Sequence, residues 1–441
     1  MPLFSLHGIH LPHRKSTAGM KPIVMPSPKS VMIPLSMHIG ALAKPVVSVG
    51  NEVKAGQVIA EAGGYVSAVI HASISGTIKS TDTTILSNGK KIPAVIIESD
   101  GLDTPYDAIV PPQVQSLSDL VDAIKASGIV GLGGAGFPTA VKLNIGDGTS
   151  VEEIVINGAE CEPYITSDTR TMTDRTDDIH FGLKILNRCI NPKKIIFGIE
   201  KNKPECIANM KRLASEYENV SVAPLKSIYP QGGEKVLIYH TTGKVVAEGK
   251  LPLDVGVIVI NCTTLAEIAR YIKTGMPLTA KCITVDGSAV AEPKNIIAPI
   301  GTQIKDIIEF CGGLKSPVRK ILLGGPMMGW PVESIDFPIM KNTNAVLLFD
   351  EKDAVPKPES ACIKCGSCTN ACPLGLDPKA FVQAMRAGDD ESLVTLKANL
   401  CMECGCCAFV CPAKRQLVQT NKIAKAKAAA IIRSRKEAKK Q

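Results

Sequence analysis

Eight cysteines near the end of the chain fall into two cassettes with the same spacing. The first is CIKCGSCTNACP, residues 362–373, and the second is CMECGCCAFVCP, residues 401–412. Each reads C-x2-C-x2-C-x3-C-P, so three thiols lie on one tight loop and the fourth follows on the next helix. A cubane [4Fe–4S] cluster requires four thiolates at this kind of spacing. The cassettes therefore predict two [4Fe–4S] clusters.

The fourth cysteine of each cassette is expected to bind the cluster of the other cassette. In two-cluster ferredoxins this cysteine binds the cluster of the other run. The predicted ligand sets are Cys362, Cys365, Cys368 and Cys411 for one cluster, and Cys401, Cys404, Cys407 and Cys372 for the other. Zinc is the alternative, but its sites use separated cysteine pairs and not a run that ends in proline. Cys406 is off the ligand spacing, and we expect it to pack in the protein interior.

A second chemically suggestive stretch is GLGGAGFPTAVKL, residues 131–143. It contains G-x-G-x-x-G, and glycines allow the backbone to approach a phosphate or a flavin ring closely. Pro138 is suited to the start of a helix whose N–H groups face an anion, and Lys142 adds positive charge one turn later. The motif follows a helix and not a strand, so it does not predict a standard dinucleotide site. A tight turn between two helices is the alternative.

Four kinds of segment must position these motifs. Short Val/Ile-rich runs broken by Gly and Asn predict an all-β barrel-sandwich. This unit is similar to biotinyl and lipoyl carrier domains, which carry their cofactor on a lysine at a hairpin tip. The corresponding tip here, residues 61–70, contains no lysine. Alternating helical and apolar runs then predict an α/β unit, short strands predict a β-grasp unit, and the cassettes lie in an α-helical ferredoxin-like unit. The predicted divisions are 1–105 barrel-sandwich, 106–275 α/β domain, 276–350 β-grasp, 351–361 linker, 362–412 two-cluster ferredoxin domain and 413–441 basic helical tail.

Composition narrows the function classes. Aromatic residues make up only 4% of the 441 residues, which argues against a stacking platform for nucleic acid. No apolar run reaches the length of about 18 residues that a membrane span requires.

Residues 412–441 carry ten Lys or Arg and one Glu, a local charge of +9, whereas the whole chain carries +8. Such a tail is either a solvated helix or a contact for an anionic membrane surface or acidic partner. Seven further scattered cysteines indicate a reducing compartment.

Three motifs carry a family resemblance. GLGGAGFPTAVKL, NGAECEP (residues 157–163) and VINCTTL (residues 259–265) resemble the flavin site of the NADH-oxidising 51-kilodalton-type subunit of respiratory complex I. With the sandwich in front and the β-grasp segment and two cassettes behind, the whole chain resembles the RnfC family, which supplies one subunit of the Rnf electron-transport complex. The resemblance implies FMN and NAD(H) as cofactors beside the two clusters.

The resemblance also implies roles for individual residues. The glycines line the FMN, Phe137 stacks on NAD(H), and Lys142 reaches the FMN phosphate. Asn157 and Glu160 contact the flavin, and Glu162 contacts the nucleotide. Asn261 and Thr264 hold the ribityl-phosphate end, and the stretch YPQGGEK (residues 229–235) contributes Gly233 and Glu234. The implied cofactor-binding residues are Gly131, Gly133, Gly134, Gly136, Phe137, Lys142, Asn157, Glu160, Glu162, Gly233, Glu234, Asn261 and Thr264.

The implied function is that of a peripheral subunit on the cytoplasmic face of a membrane complex. It exchanges a hydride at FMN and passes single electrons through the clusters, since a flavin links two-electron to one-electron chemistry. No side chain is expected to act as a general acid or base. The implied partners are subunits that translocate Na⁺ or H⁺, with ferredoxin reached indirectly. The alternatives are a microcompartment-type cobalamin reductase, in which the sandwich follows the flavin domain, and an electron wire that uses only the clusters.

Overall fold

The computed structural model describes residues 8–81, 83–85, 91–146 and 150–438. Within these residues the chain folds into four units, and the predicted fold class is confirmed. Strands that alternate buried and exposed positions build the first unit, as Val31 and Ile33 show. Its strands are β1 (Ile23–Val24), β2 (Ser30–Pro34), β3 (Lys44–Pro45), β4 (Glu52–Val53), β5 (Val58–Glu61), β6 (Ile70–His71), β7 (Gly76–Ser80), β8 (Thr83–Ile85) and β9 (Lys91–Ser99).

Two antiparallel sheets form the sandwich. One has the order β2-β9-β7-β4 with β8 on β9, and the other has the order β3-β5-β6. Fully buried Ile33, Ile59 and Ile78 lie in the same hydrophobic core. Strand β1 departs from the sandwich and pairs in parallel with a strand of the third unit. The N-terminal segment thus joins two units.

The second unit is α/β, because its strands are continuous apolar runs that can be buried on both faces. Its elements are α1 (Leu117–Ser127), α2 (Thr139–Leu143), β10 (Glu153–Asn157), α3 (Ser167–Asp174), α4 (Thr176–Cys189), β11 (Lys194–Glu200), α5 (Pro204–Ala214), β12 (Val220–Leu225), α6 (Glu234–Thr242), β13 (Val257–Asn261) and α7 (Cys262–Thr274). The four strands are parallel in the order β12-β11-β10-β13.

This strand order creates a crevice for a ligand. From β10 the chain proceeds to β11 and β12 on one side, and it later returns to place β13 on the other side. Ligands of such sheets bind beyond the carboxyl ends of the strands at the point where the order reverses. Asn157 and Asn261 end β10 and β13 and are paired in register. Both predicted site asparagines therefore lie at the switch point.

The third unit is a β-grasp sheet with one helix. Its elements are β14 (Ala280–Asp286), β15 (Lys294–Pro299), α8 (Ile304–Phe310), β16 (Lys320–Leu323), β17 (Trp330–Val332) and β18 (Ala345–Phe349). With β1 added, the sheet order is β1-β15-β14-β18-β16-β17. Its strand β14 and two of its loops, residues 324–329 and 341–344, face the α/β unit.

The fourth unit is helical, as predicted. The short helix α9 (Glu351–Ala354) precedes this unit and packs on the β-grasp sheet through Ala354. The helices of the fourth unit are α10 (Ser367–Asn370), α11 (Pro378–Ala387), α12 (Asp390–Thr395), α13 (Cys406–Phe409) and α14 (Leu417–Ala438). The basic C-terminal segment forms α14, which packs on the unit through buried Ala424 and Ala428. Lys425 pairs with Glu403 of the second cassette at 2.8 Å. Residues 439–441 lie outside the described part of the chain.

No helix within the described residues combines the length and apolar character needed to cross a membrane.

Candidate functional site

The glycine loop, residues 131–136, closes on itself beyond the carboxyl ends of the sheet. The N–H of Gly131 donates to Phe137 O at 2.8 Å, and the N–H of Gly136 donates to Gly131 O at 3.2 Å. Gly134 has φ of +116° and Gly136 has φ of +68°, which side chains other than glycine rarely adopt. A Cβ added at Gly133 would lie 3.1 Å from Asn261 Nδ2. Backbone conformation therefore favours glycine at 134 and 136, and close approach favours it at 133.

Other units bind the carbonyl groups of this loop. Lys281 Nζ donates to Leu132 O at 2.8 Å, and Asn342 Nδ2 donates to Gly134 O at 2.9 Å, both from the β-grasp unit. From the sandwich, the Ile39 N–H donates to Gly136 O at 3.0 Å. The N–H groups of residues 133–135 have no acceptor among the described residues. A series of free N–H groups is a cradle for an anion or a flavin carbonyl, so the loop fits FMN.

Lys142 lies between the glycine loop and the Tyr229 loop, residues 229–235. Its Nζ donates to Glu234 Oε1 at 2.8 Å and to Val259 O at 3.1 Å. Phe137, at the end of the glycine loop, is half-buried. The structure therefore brings Phe137, Lys142, Gly233 and Glu234 to the same end of the sheet.

The two asparagines at the strand ends hold loops. Asn261 Oδ1 accepts from the N–H groups of Thr263 and Thr264 and so caps α7, while its Nδ2 donates to Asp168 Oδ2 at 2.7 Å. Asn157 Nδ2 donates to Gly232 O at 3.0 Å. Their amide groups fix the floor of the crevice.

Thr264 supports the glycine loop directly. Its Oγ1 accepts from the Leu132 N–H at 2.9 Å. The hydroxyl is nearly fully buried in the first turn of α7. In the structure, Thr264 therefore binds the glycine loop.

The carboxylate of Glu160 accepts hydrogen bonds from other residues of the protein. Its Oε1 accepts from the Asp168 N–H at 2.7 Å, and its Oε2 accepts from Thr169 Oγ1 at 2.5 Å, at the start of α3. Burial raises its pKa, although Lys15 and Lys203 act in the opposite direction. Glu160 therefore orders the segment after Asn157, with both oxygens already bonded.

The carboxylate of Glu162 binds the β-grasp unit. It accepts from the N–H groups of Met327 at 3.0 Å and Met328 at 2.8 Å. Burial raises its pKa to about 7, and these two hydrogen bonds lower it. A Cβ at Gly325 would lie 2.2 Å from Glu162 Oε2, so glycine is required there. The glycine-rich stretch GGPMMG, residues 324–329, is the sequence signal that could have indicated this contact, and our predictions did not include it.

The cysteines of the second cassette face one small cavity together with a cysteine of the first. Five cysteines line the cavity: Cys372, Cys401, Cys404, Cys406 and Cys407. They include the four that crossed binding predicts. The N–H of Leu376 donates to Cys372 Sγ at 3.3 Å, and Asn421 Nδ2 donates to Cys407 Sγ at 3.6 Å. Hydrogen bonds of this kind are typical of cluster-binding sulfurs.

The remaining predicted ligands differ in burial, since Cys411 is buried and Cys368 is half-buried. Cys368 packs beside Cys411 in a small cluster with Leu417. Cys362 and Cys365 are exposed. The first cassette is therefore closer to solvent than the second.

The two cassettes have the same backbone shape. Lys364 and Glu403 have φ of +58° and +60°, and Gly366 and Gly405 have φ of +78° and +79°. Equal left-handed residues at equal positions show that both loops are built for the same type of ligand. No three His, Cys, Asp or Glu side chains of the described residues are close enough to hold one metal ion. The fit to clusters rests on the shared cavity and on these matching loops.

The second cassette contacts the flavin side of the α/β unit. Tyr229 Oη donates to Cys404 O at 2.8 Å, and Cys406 Sγ donates to Tyr229 O at 3.8 Å. A Cβ at Gly233 would lie 2.5 Å from Met402 Cε. Cys406 also lines the cavity, and it is fully buried, as its position off the ligand spacing predicted. The Tyr229 loop therefore contacts both Asn157 of the crevice and the second cassette.

Comparison with family models covers most of the chain. The RnfC barrel sandwich hybrid domain matches residues 4–102, and the Nuo51 FMN-binding domain matches residues 124–270. The SLBB domain matches residues 282–331, and the 4Fe-4S dicluster domain matches residues 344–416.

Three curated proteins are similar over most of their length. The chain is 41% identical over 424 residues to the C subunit of the Na(+)-translocating ferredoxin:NAD(+) oxidoreductase complex of Acetobacterium woodii, covering 95% of both chains. It is 42% identical over 375 residues to the C subunit of the proton-translocating ferredoxin:NAD(+) oxidoreductase complex of Clostridium ljungdahlii, covering 84% of this chain and 82% of that protein. The C subunit of the ion-translocating oxidoreductase complex of Rhodobacter capsulatus is 39% identical over 433 residues, 96% of this chain and 83% of that protein.

A solved structure shares the fold. An NAD+-reducing [NiFe]-hydrogenase in the H2-reduced state aligns with a TM-score of 0.51 and 19% identity, over 70% of this chain and 60% of the hydrogenase chain.

Gly134→Val is expected to abolish FMN binding while both clusters remain. A β-branched residue at φ of +116° is strained, so the loop must change shape. Flavin and iron per purified chain are the measurements, with about eight irons expected to remain. The control is Gly19→Val, because Gly19 has no neighbouring atom within 4 Å. Full FMN content in Gly134→Val would contradict the assignment of the loop.

Cys372→Ser is expected to alter the cluster of the second cassette. Electron paramagnetic resonance of the reduced chain would assign each signal through Cys365→Ser and Cys404→Ser, one in each loop. Cys372→Ser should match Cys404→Ser, because the two thiols line one cavity. Cys406→Ser is the control and should leave both signals unchanged. A match to Cys365→Ser would show that binding is not crossed.

Glu162→Gln is expected to flatten the dependence of stability on pH. The pKa of Glu162 is raised from 4.5 to about 7, so its contribution to stability is full below pH 4.5 and is lost as pH rises through 7. In that window this carboxyl should reduce the free energy of unfolding by up to about 1.4 kcal/mol per pH unit. Urea unfolding at several pH values measures the slope. Exposed Glu333→Gln is the control, and an unchanged slope in Glu162→Gln would disprove the assignment.

Proposed function

Because this chain belongs to the RnfC family of subunits of ion-translocating oxidoreductase complexes, we propose that it is the subunit that reacts with NAD(H) in a ferredoxin:NAD⁺ oxidoreductase. Its named relatives are subunits of such complexes. One observation carries the proposal: the Tyr229 loop borders the crevice with one side and contacts the second cassette with the other.

The chemistry follows from the cofactors that these residues fit. FMN held by these residues would supply the conversion between a hydride, which carries two electrons, and the single electrons that [4Fe–4S] clusters take. The free N–H groups of Gly133, Gly134 and Ala135 would hold the flavin, and Phe137 would stack on the nicotinamide. Asn157 and Asn261 keep the crevice open at the strand ends. No proton needs to be moved by a side chain in the hydride exchange.

The cassettes would carry electrons outward in a fixed order. The second cassette is next to the Tyr229 loop and is largely buried, so it would exchange electrons with the crevice. The first cassette has exposed Cys362 and Cys365, and Ile363 between them is 67% exposed. We infer that this exposed edge passes electrons to or from a partner subunit. Ferredoxin would be reached through that partner.

The partner subunits would translocate Na⁺ or H⁺, since relatives of both types exist. We propose that the chain is a peripheral subunit on the cytoplasmic face of the membrane. Two observations support this placement. All fifteen cysteines lie in described parts of the chain and none forms a disulfide, as expected in a reducing compartment. The relatives are named for a reaction with NAD⁺, which would reach the crevice from the cytoplasm.

An anaerobic visible spectrum of the purified chain, before and after NADH, tests the function. Bleaching of both the flavin and the iron–sulfur absorption is expected, with about one flavin and eight irons per chain. Gly19→Val should behave like the unmodified chain. Iron without flavin, together with no response to NADH, would contradict the proposal and indicate an electron wire that uses only the clusters.

A further inference from the structure

Lys281 is a buried lysine that the proposed chemistry leaves unused. It lies on β14 of the β-grasp unit and is 3% exposed. Its Nζ donates to Leu132 O at 2.8 Å, across 149 residues of sequence. A buried lysine normally pairs with a carboxylate, because burying an unpaired charge is costly. Here the hydrogen-bond acceptor is a carbonyl of the glycine loop, so the position of that carbonyl matters.

Leu132 is held at both of its backbone polar atoms. Its N–H donates to Thr264 Oγ1 at 2.9 Å from the α/β unit, and its carbonyl accepts from Lys281. The peptide bond is planar and trans, so the N–H of the next residue points opposite to the carbonyl. The hydrogen bond from Lys281 therefore directs the Gly133 N–H away from the β-grasp unit. That N–H has no acceptor among the described residues, and Gly133 is exposed.

Asn342 acts in the same way on the peptide bond between Gly134 and Ala135. Its Nδ2 donates to Gly134 O at 2.9 Å, which directs the Ala135 N–H to the opposite side. Gly136 fits closely here, because a Cβ on it would lie 3.1 Å from Asn342 Nδ2. Two side chains of the β-grasp unit thus set the direction of two free N–H groups.

The charge of Lys281 strengthens its effect. Burial lowers the pKa of the amine to about 8, while Asp168, Cys282 and Glu267 act in the opposite direction. The amine therefore remains largely protonated at neutral pH. A hydrogen bond from a charged donor is stronger than a neutral one, and it polarises the peptide so that the Gly133 N–H becomes a better donor.

We propose that Lys281 and Asn342 are positioning residues for the flavin loop, so that the β-grasp unit completes the FMN site of the α/β unit. They hold two loop carbonyls and thereby aim the N–H groups of Gly133 and Ala135 at the bound flavin. This inference rests on the proposed function, since it requires that the glycine loop binds FMN.

The test is FMN affinity of the full-length chain with its clusters, measured by quenching of flavin fluorescence. Lys281→Met removes the charged donor, and Asn342→Asp removes the amide donor at nearly constant shape. Each should weaken FMN binding about tenfold or more. Lys305→Met is the matched control, because Lys305 is an exposed lysine of the same unit that pairs with Asp336. It should bind FMN as the unmodified chain does.

A pH series separates positioning from general destabilisation. In the unmodified chain FMN affinity should fall as pH rises through about 8, where Lys281 loses its proton. Lys281→Met should lack this fall, whereas Asn342→Asp should keep it. If Lys281→Met loses its iron on purification, Asn342→Asp decides the question, because its side chain is only half-buried.

Three results would overturn the inference. Affinities of Lys281→Met and Asn342→Asp equal to that of Lys305→Met would show that the β-grasp donors do not shape the site. An unchanged fall above pH 8 in Lys281→Met would show that its charge has no role. If the unmodified chain holds iron but does not bind FMN, the proposed function is wrong as well as this inference. If the unmodified chain binds FMN and only the variants fail to differ from Lys305→Met, the inference alone is wrong.

Discussion

The glycine loop can present free N–H groups because its carbonyl groups are bound by other parts of the protein. A loop of this kind has as many carbonyl groups as N–H groups, and unpaired carbonyls in the crevice would repel an anion. Three of these carbonyls accept hydrogen bonds from Lys281, Asn342 and Ile39, which belong to two neighbouring units. The site is therefore a property of three units together.

A second set of buried contacts connects the crevice with the cassettes. Glu162 holds the β-grasp loop at Met327 and Met328, and Tyr229 bonds to the backbone of Cys404. A Cβ at Gly405 would lie 3.2 Å from Met327 O, so the same loop also contacts the second cassette. The α/β, β-grasp and cluster units meet at this point.

Sequence patterns predicted the parts of the site that depend on local spacing. The cassettes, the glycine loop and the order of sandwich, α/β, β-grasp and helical units follow from residue types a few positions apart. The roles of Lys281 and Asn342 could not be predicted, because each is a single polar residue whose partner is 149 or 208 residues away. The contacts of Glu160 and Glu162 could not be predicted from local sequence either. Their motif placed them beside the crevice, but only the fold shows that α3 and the β-grasp loop bind their carboxylates.

The central claim is that the second cassette lies on the path between the crevice and the first cassette. Freeze-quenched electron paramagnetic resonance after mixing with NADH tests it, in Cys404→Ser and in Cys365→Ser. In Cys365→Ser the cluster of the second cassette should be reduced as fast as in the unmodified chain. In Cys404→Ser the cluster of the first cassette should remain oxidised with NADH, although dithionite reduces it. Rapid reduction of that cluster by NADH in Cys404→Ser would contradict the account.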